Sequence, residues 1–131
     1  MKYITKYKSP NYNSRSKSKI KLVIIHYTAL KNTKEAITYL CTKEKKVSAH
    51  YLISQDGVIY CLVDEKFRAW HAGQSYWQDI VDINSFSIGI ELDYSPNGKN
   101  NKFSSIALLS YIHNLSSYNV GNAIKIILQF V

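Results

Sequence analysis

A chain of 131 residues is long enough for one hydrophobic core and too short for two, so the length predicts a single domain over residues 1–131. Hydrophobic residues at 46% and charged residues at 20% exclude a mostly disordered chain. The net charge is +8, and no apolar run approaches the roughly 20 residues that cross a bilayer.

The charge is uneven. Lys2, Lys6, Lys8, Arg15, Lys17, Lys19 and Lys21 open the chain with no acid among them, which marks residues 1–19 as a basic arm. Such an arm suits an acidic wall polymer, an anionic lipid surface or a nucleic-acid backbone, and equally a plain solvated tail. The tyrosines do not follow the spacing of a nucleic-acid motif, so no nucleic-acid partner is expected. This polar start has no apolar h-region of a signal peptide, so the chain as written reads as cytoplasmic, with a cell-envelope or secreted location left open. Cys41 and Cys61 lack CxxC spacing and lie in apolar surroundings, which predicts buried free thiols.

After the arm, Ile20 to Ile25 (IKLVII) is a β-branched run of the kind buried on both faces of a sheet, and it ends at His26. Asn32 and Thr33 offer an N-cap, with Ile37, Leu40 and Cys41 at helical spacing behind them, predicting a helix from about Thr33 to Lys43. His50 to Ser54 and Val58 to Val63 flank the Asp56-Gly57 pair and read as an antiparallel hairpin. Asp64 to Asn84 follows neither period and reads as a long loop. Phe86 to Leu92 (FSIGIEL) predicts a second central strand, and Ser104 to Leu115 an amphipathic helix. Ala123 to Val131 is almost wholly apolar and reads as a terminal strand.

Four segments in this order, VIIHYTA (Val23 to Ala29), VSAHYLI (Val47 to Ile53), FRAWHAGQSYW (Phe67 to Trp77) and SFSIGIEL (Ser85 to Leu92), resemble the type 2 N-acetylmuramoyl-L-alanine amidase domain. That family also contains phage lysozyme-like amidases and peptidoglycan recognition proteins. The QDGVIY segment lies between the second and third, and the resemblance runs from about Ser9 to Tyr118. It implies an α/β fold, a mixed central sheet flanked by helices, and hydrolysis of the amide between N-acetylmuramic acid and L-alanine in peptidoglycan or muropeptides. It also implies a zinc ion, a catalytic metal that works with three protein ligands and one open position for water.

Residue by residue, the resemblance makes His26 the first zinc ligand and Glu91 the acid that relays protons. Without it, a lone strand-end histidine is a hydrogen-bonded structural residue more often than a ligand, and Glu91 reads as a strand-end salt bridge. His50 and His71 match histidines that line the substrate cleft outside the usual zinc set, and His50 reads equally as a packed core residue. Trp70 suits a sugar or peptide wall or plain core filling, and Arg68 a stem-peptide carboxylate or a surface role. The family's further ligands, a second His and an Asp or Cys after the second helix, have no match after Tyr118, where His113 is the one histidine beyond Glu91. The sequence therefore reads as an amidase domain lacking its C-terminal segment. The rival reading is a noncatalytic peptidoglycan-binding protein.

Overall fold

The computed structural model describes residues 2–15, 19–94 and the backbone of 125–128. Its centre is a six-stranded mixed sheet. In chain order the strands are β1 (Tyr3–Ile4), β2 (Tyr12–Ser14), β3 (Leu22–Tyr27), β4 (Tyr51–Ile53), β5 (Ile59–Cys61), β6 (Phe67–Ala69), β7 (Tyr76–Trp77), β8 (Ile80–Val81), β9 (Ser87–Leu92) and β10 (Lys125–Leu128). The main sheet runs β1-β5-β4-β9-β3-β10, while β2 pairs with β6 and β7 with β8 in two small ribbons. All neighbours in the main sheet are parallel except the β4–β5 hairpin.

The two long apolar runs form the two longest strands, as expected, with a shift at each end. β3 continues one residue past His26 to Tyr27, paired along its whole length with β9. The terminal apolar run supplies β10, which lies parallel to β3 over Leu22 to Ile25. The expected helix over Ser104 to Leu115 lies outside the described residues.

One face of the sheet carries Val23, Ile25, Ile53, Ile59, Ile88, Ile90 and Leu92, a continuous buried cluster. The other face is covered by helix α1 (Thr33–Leu40) and by the segment from β6 to the single-turn helix α2 (Ile83–Phe86). Helix α1 starts where the N-cap signal put it: the Asn32 side chain accepts from the Glu35 N–H at 3.0 Å, and Glu35 reaches back to the Lys31 N–H at 3.0 Å. It buries Ala36 and Leu40 against Leu52 and Leu62. It stops three residues early because Thr42 is already extended; a short 3₁₀ turn over Lys43–Lys45 follows, closed by Lys46 at φ 52°. The β4–β5 hairpin turns at Gly57, whose φ of 82° is open to glycine at no steric cost.

Two expectations change. The long loop from Asp64 to Asn84 contains β6, β7, β8 and the start of α2. These elements are two to four residues long, too short to show a period, and β6 finds its partner in β2, some fifty residues away in sequence. The basic arm, in turn, is built into the fold over residues 2–15. β1 extends the main sheet beside β5, and β2 lies on β6. The buried Ser9 hydroxyl donates to the Leu40 carbonyl at the end of α1, and the Asn11 amide donates to the Thr42 and Val47 carbonyls at 2.9 Å each.

Arg15 shows most plainly why the arm is not a solvated tail. Its guanidinium donates to five backbone carbonyls: Glu65 (3.0 Å), Asn84 (3.2 Å), Ser85 (2.7 Å), Phe67 (2.9 Å) and Ser87 (2.9 Å). Burial pulls its pKa below the usual guanidinium value. One planar fork thus joins the N-terminal segment to β6, α2 and the start of β9. Arg15→Ala is expected to leave these carbonyls unsatisfied and to lower the unfolding free energy by about 3 kcal/mol or more, read as a lower urea midpoint. Arg15→Lys is expected to recover only part of the loss, because an ammonium cannot span the same spread of acceptors.

Candidate active site

Alternation along β9 separates two kinds of residue. Ile88, Ile90 and Leu92 enter the apolar cluster, so Ser87, Gly89 and Glu91 face the opposite side. On β3 the same rule puts His26 on that opposite side, and the parallel register aligns His26 with Glu91 across the strand pair. Leu52 of β4 flanks Glu91 on its other side. Both β3 and β9 end one residue later, so the pair sits at the carboxyl ends of two central parallel strands. In open α/β sheets that is where crevices for ligands form.

The environment of the pair is dry. Burial pushes the Glu91 carboxyl up to about 8, and its Oε2 is a buried oxygen with no hydrogen-bond partner among the described residues. A carboxylic acid in this position holds its proton at neutral pH and releases it only slightly above. Burial likewise lowers His26 to about 4, leaving a neutral imidazole. Its Nε2 lies 3.0 Å from Nδ1 of His71, and no described residue bonds its Nδ1.

His71 comes from the loop after β6 and lies against β9. Asn84, buried at the start of α2, holds that loop by accepting from the backbone N–H groups of His71 (3.1 Å) and Ala72 (2.9 Å). The ring of His71 rests on the backbone of Gly89: a Cβ added there would lie 2.3 Å from its Cγ. Its Nε2 reaches the Ser87 hydroxyl at 3.0 Å. Burial, with His50, His26, Arg15 and Arg68 nearby, drives its pKa well below the ordinary imidazole value.

His50, expected in the cleft or in the core, is fully buried. Its Nδ1 accepts from the Gly89 N–H at 2.9 Å, so Nε2 carries the hydrogen and donates to the Phe67 carbonyl at 3.1 Å. Both ring nitrogens are engaged inside the protein, and burial lowers its pKa to about 4. The geometry makes His50 a support beneath β9. Arg68, expected to meet a stem-peptide carboxylate or to serve a surface role, has its fork taken up by both carboxylate oxygens of Asp82, with a further bond to Asn13 at 3.2 Å. Trp70 is half-buried, and its indole N–H donates to the same Asn13 oxygen at 2.8 Å. Tyr76 and Trp77, in the following ribbon, remain exposed.

The structure therefore brings together His26, Glu91 and His71, sets His50 underneath, and places Arg68 and Trp70 on the Asn13 side of β6. Sequence reasoning missed Ser87 and Asn84, which fix His71, and Arg15, which ties down the backbone around them. The signal for Ser87 was present: Ser87, Gly89 and Glu91 alternate with Ile88, Ile90 and Leu92, so one face of β9 could not be core.

The zinc that the resemblance implies can be tested against these donors. His26 is a neutral imidazole whose Nδ1 no described residue bonds, in register with Glu91, whose Oε2 has no partner among the described residues; this suits one ligand and one proton carrier. Among the described residues, however, no three His, Cys, Asp or Glu side chains gather to hold a metal ion. The fit extends to His26 and no further, and His113 lies outside the described residues.

Two outcomes follow from this geometry. Gly89→Ala is expected to push His71 off β9 and to destabilise the protein by about 1–3 kcal/mol, seen as a lower Tm together with shifted His71 ring resonances. Glu91 has a folded pKa raised above its unfolded one, so the folded state binds the extra proton between about 4.5 and about 8. Its contribution to stability is present below that window and lost as pH rises through it. Glu91→Gln is expected to remove this loss, gaining on the wild type by on the order of 1–3 kcal/mol as denaturation is moved from pH 5 to pH 8.5.

Comparison with known proteins gives the same picture. The family model described as N-acetylmuramoyl-L-alanine amidase matches residues 16–120. N-acetylmuramoyl-L-alanine amidase AmiD of Escherichia coli is 39% identical over 82 residues, which are 57% of this chain and 29% of that protein. The 1,6-anhydro-N-acetylmuramyl-L-alanine amidase AmpD of Escherichia coli is 54% identical over 48 residues, 37% of this chain and 26% of that protein. The matched segments thus span under a third of the length of these relatives. Among solved structures, AmiD from Escherichia coli in complex with the substrate anhydro-N-acetylmuramic acid-L-Ala-D-gamma-Glu-L-Lys superposes with a TM-score of 0.66 at 30% identity, covering 82% of this chain and 48% of that one. A selenomethionine derivative of AmpD superposes with a TM-score of 0.71 at 23% identity over 97% and 79% of the two chains, a likeness of fold. With the family model matching most of its length, the chain belongs to the N-acetylmuramoyl-L-alanine amidase family.

Proposed function

We propose that the chain is a zinc-dependent N-acetylmuramoyl-L-alanine amidase that cleaves the amide between N-acetylmuramic acid and L-alanine in peptidoglycan or muropeptides. The observation that carries this reading is the alignment of His26 with Glu91 at the carboxyl ends of β3 and β9, where Glu91 has an oxygen without a partner among the described residues and a pKa of about 8. The named substrate of the AmiD complex, an anhydro-muramyl peptide, supports the substrate class.

Amide hydrolysis needs a proton taken from the attacking water and one delivered to the departing nitrogen. Glu91 is the group suited to both. Its pKa of about 8 makes its conjugate acid strong enough to protonate an amine leaving group and its carboxylate basic enough to take a proton from water at near-neutral pH. The dry strand face keeps that pKa raised. His26 would be this chain's contribution to holding zinc, which when bound lowers the pKa of water from about 15.7 to about 7 and polarises the carbonyl. The exposed aromatics Tyr76 and Trp77, in the ribbon that follows His71, are suited to stack on sugar or peptide faces at the rim.

Purified protein supplied with zinc and an anhydro-N-acetylmuramyl peptide is expected to release free stem peptide. Glu91→Gln is expected to lower kcat by about 10²- to 10⁴-fold with KM little changed. No release from the wild type with zinc present would sink the enzyme reading. The absence of a three-ligand cluster among the described residues favours one alternative, a noncatalytic peptidoglycan-binding protein. Retention on insoluble peptidoglycan without release of peptide would select it.

A further inference from the structure

Donor and acceptor roles around His71 can be assigned from heavy atoms alone. The Ser87 hydroxyl has one hydrogen, and it donates that hydrogen to the Ile83 carbonyl at 2.7 Å, because a carbonyl can only accept. Toward His71, 3.0 Å away, the same oxygen must therefore act as acceptor, so Nε2 of His71 carries a hydrogen. The ring is buried among two other imidazoles, where an uncompensated cation is disfavoured, so it is neutral and its Nδ1 holds a lone pair. That lone pair faces Nε2 of His26 at 3.0 Å, and Nε2 of His26 must then be the donor. The remaining nitrogen of His26, Nδ1, is left with a lone pair that no described residue takes up.

We infer that Ser87 and His71 are positioning residues that lock His26 in one tautomer, hydrogen on Nε2 and lone pair on Nδ1, so that Nδ1 is the atom His26 presents to whatever electrophile or proton donor occupies the crevice. The chain of bonds has a single direction: Ile83 carbonyl from Ser87 hydroxyl, Ser87 from His71, His71 from His26. Its direction is set at the carbonyl end, which cannot reverse. Each link is held by a separate device. Helix α2 presents the carbonyl, Asn84 clamps the loop that carries His71, and Gly89 admits the ring. A free imidazole in water exchanges readily between its two neutral forms, and the relay removes the form that would put hydrogen on the outward nitrogen. The inference rests on the proposed role of His26 as the ligand-bearing residue only for its consequence; the tautomer itself follows from the bonds.

The test is the ring-nitrogen NMR spectrum of the full chain, labelled with ¹⁵N-histidine and kept free of metal, so that a protein without hydrolase activity still answers the question. His26 is expected to show a pyridine-type Nδ1 and a pyrrole-type Nε2. In Ser87→Ala, His71 loses its acceptor and is free to turn its hydrogen toward His26, so the Nδ1 signal of His26 is expected to move toward an averaged position together with that of His71. The resonances of His50 report folding of the variant, because its tautomer is fixed separately by the Gly89 N–H and the Phe67 carbonyl. Ser87→Thr, which keeps the hydroxyl, is expected to restore the wild-type pattern. A wild-type His26 with its hydrogen on Nδ1 would overturn the inference, and that spectrum suffices if the variant fails to fold. So would a folded Ser87→Ala protein in which His26 and His71 are unchanged.

Discussion

The parallel pairing of β3 with β9 is the constraint from which the rest of the site follows. Six consecutive residues of each strand are in register, from Leu22 opposite Ser87 to Tyr27 opposite Leu92. Because side chains alternate, that register decides at once which residues enter the apolar cluster and which face the crevice. A slip of one residue would turn His26 into the core and bring Ile25 or Tyr27 opposite Glu91. The isoleucines and valine on the buried face therefore hold a chemical arrangement on the face they do not touch. Burial on one side fixes position on the other.

On the crevice side, much of the support is polar, and it works because nearly every group has a partner. The buried His50, His71, Ser87, Asn84 and Asn11, with the half-buried Arg15, would each be costly alone in such surroundings. Together they form a bonded layer between the sheet and the segments packed on it. Glu91 Oε2 departs from that pattern. It shares this with Asp93 Oδ1 just past the end of β9, so two carboxylate oxygens near the ends of the central strands have no hydrogen-bond partner among the described residues.

The parts of the fold visible in the sequence were those with a local period or a local turn. The apolar runs of β3 and β9, the Asn32 cap of α1 and the Asp56-Gly57 turn each depend on residues a few positions apart; the cap and the turn lie where the pattern put them, and the two strands lie within two residues of it. His26, Glu91 and His71 were found through a motif resemblance, and their side chains converge on one face of the sheet. Arg15 was hidden because its meaning is wholly non-local. Among seven basic residues near the N-terminus nothing in composition distinguishes the one whose partners lie 50 to 72 positions away. The same reason hid the strands inside the segment from Asp64 to Asn84, since β6 exists by virtue of β2. The roles of Ser87 and Asn84 required knowing which loop comes back over β9.

The long reach of Arg15 also bears on how the protein is made. Residue 15 is synthesised long before the carbonyls its guanidinium binds: the first of them belongs to residue 65 and the last to residue 87. Before then β1 and β2 lack β5 and β6 as well. Arg15, β1 and β2 are therefore made well before the segments they contact, at the entropic cost of closing loops of that length. Until those segments are made, a lysine-rich stretch of this kind is compatible with solvent.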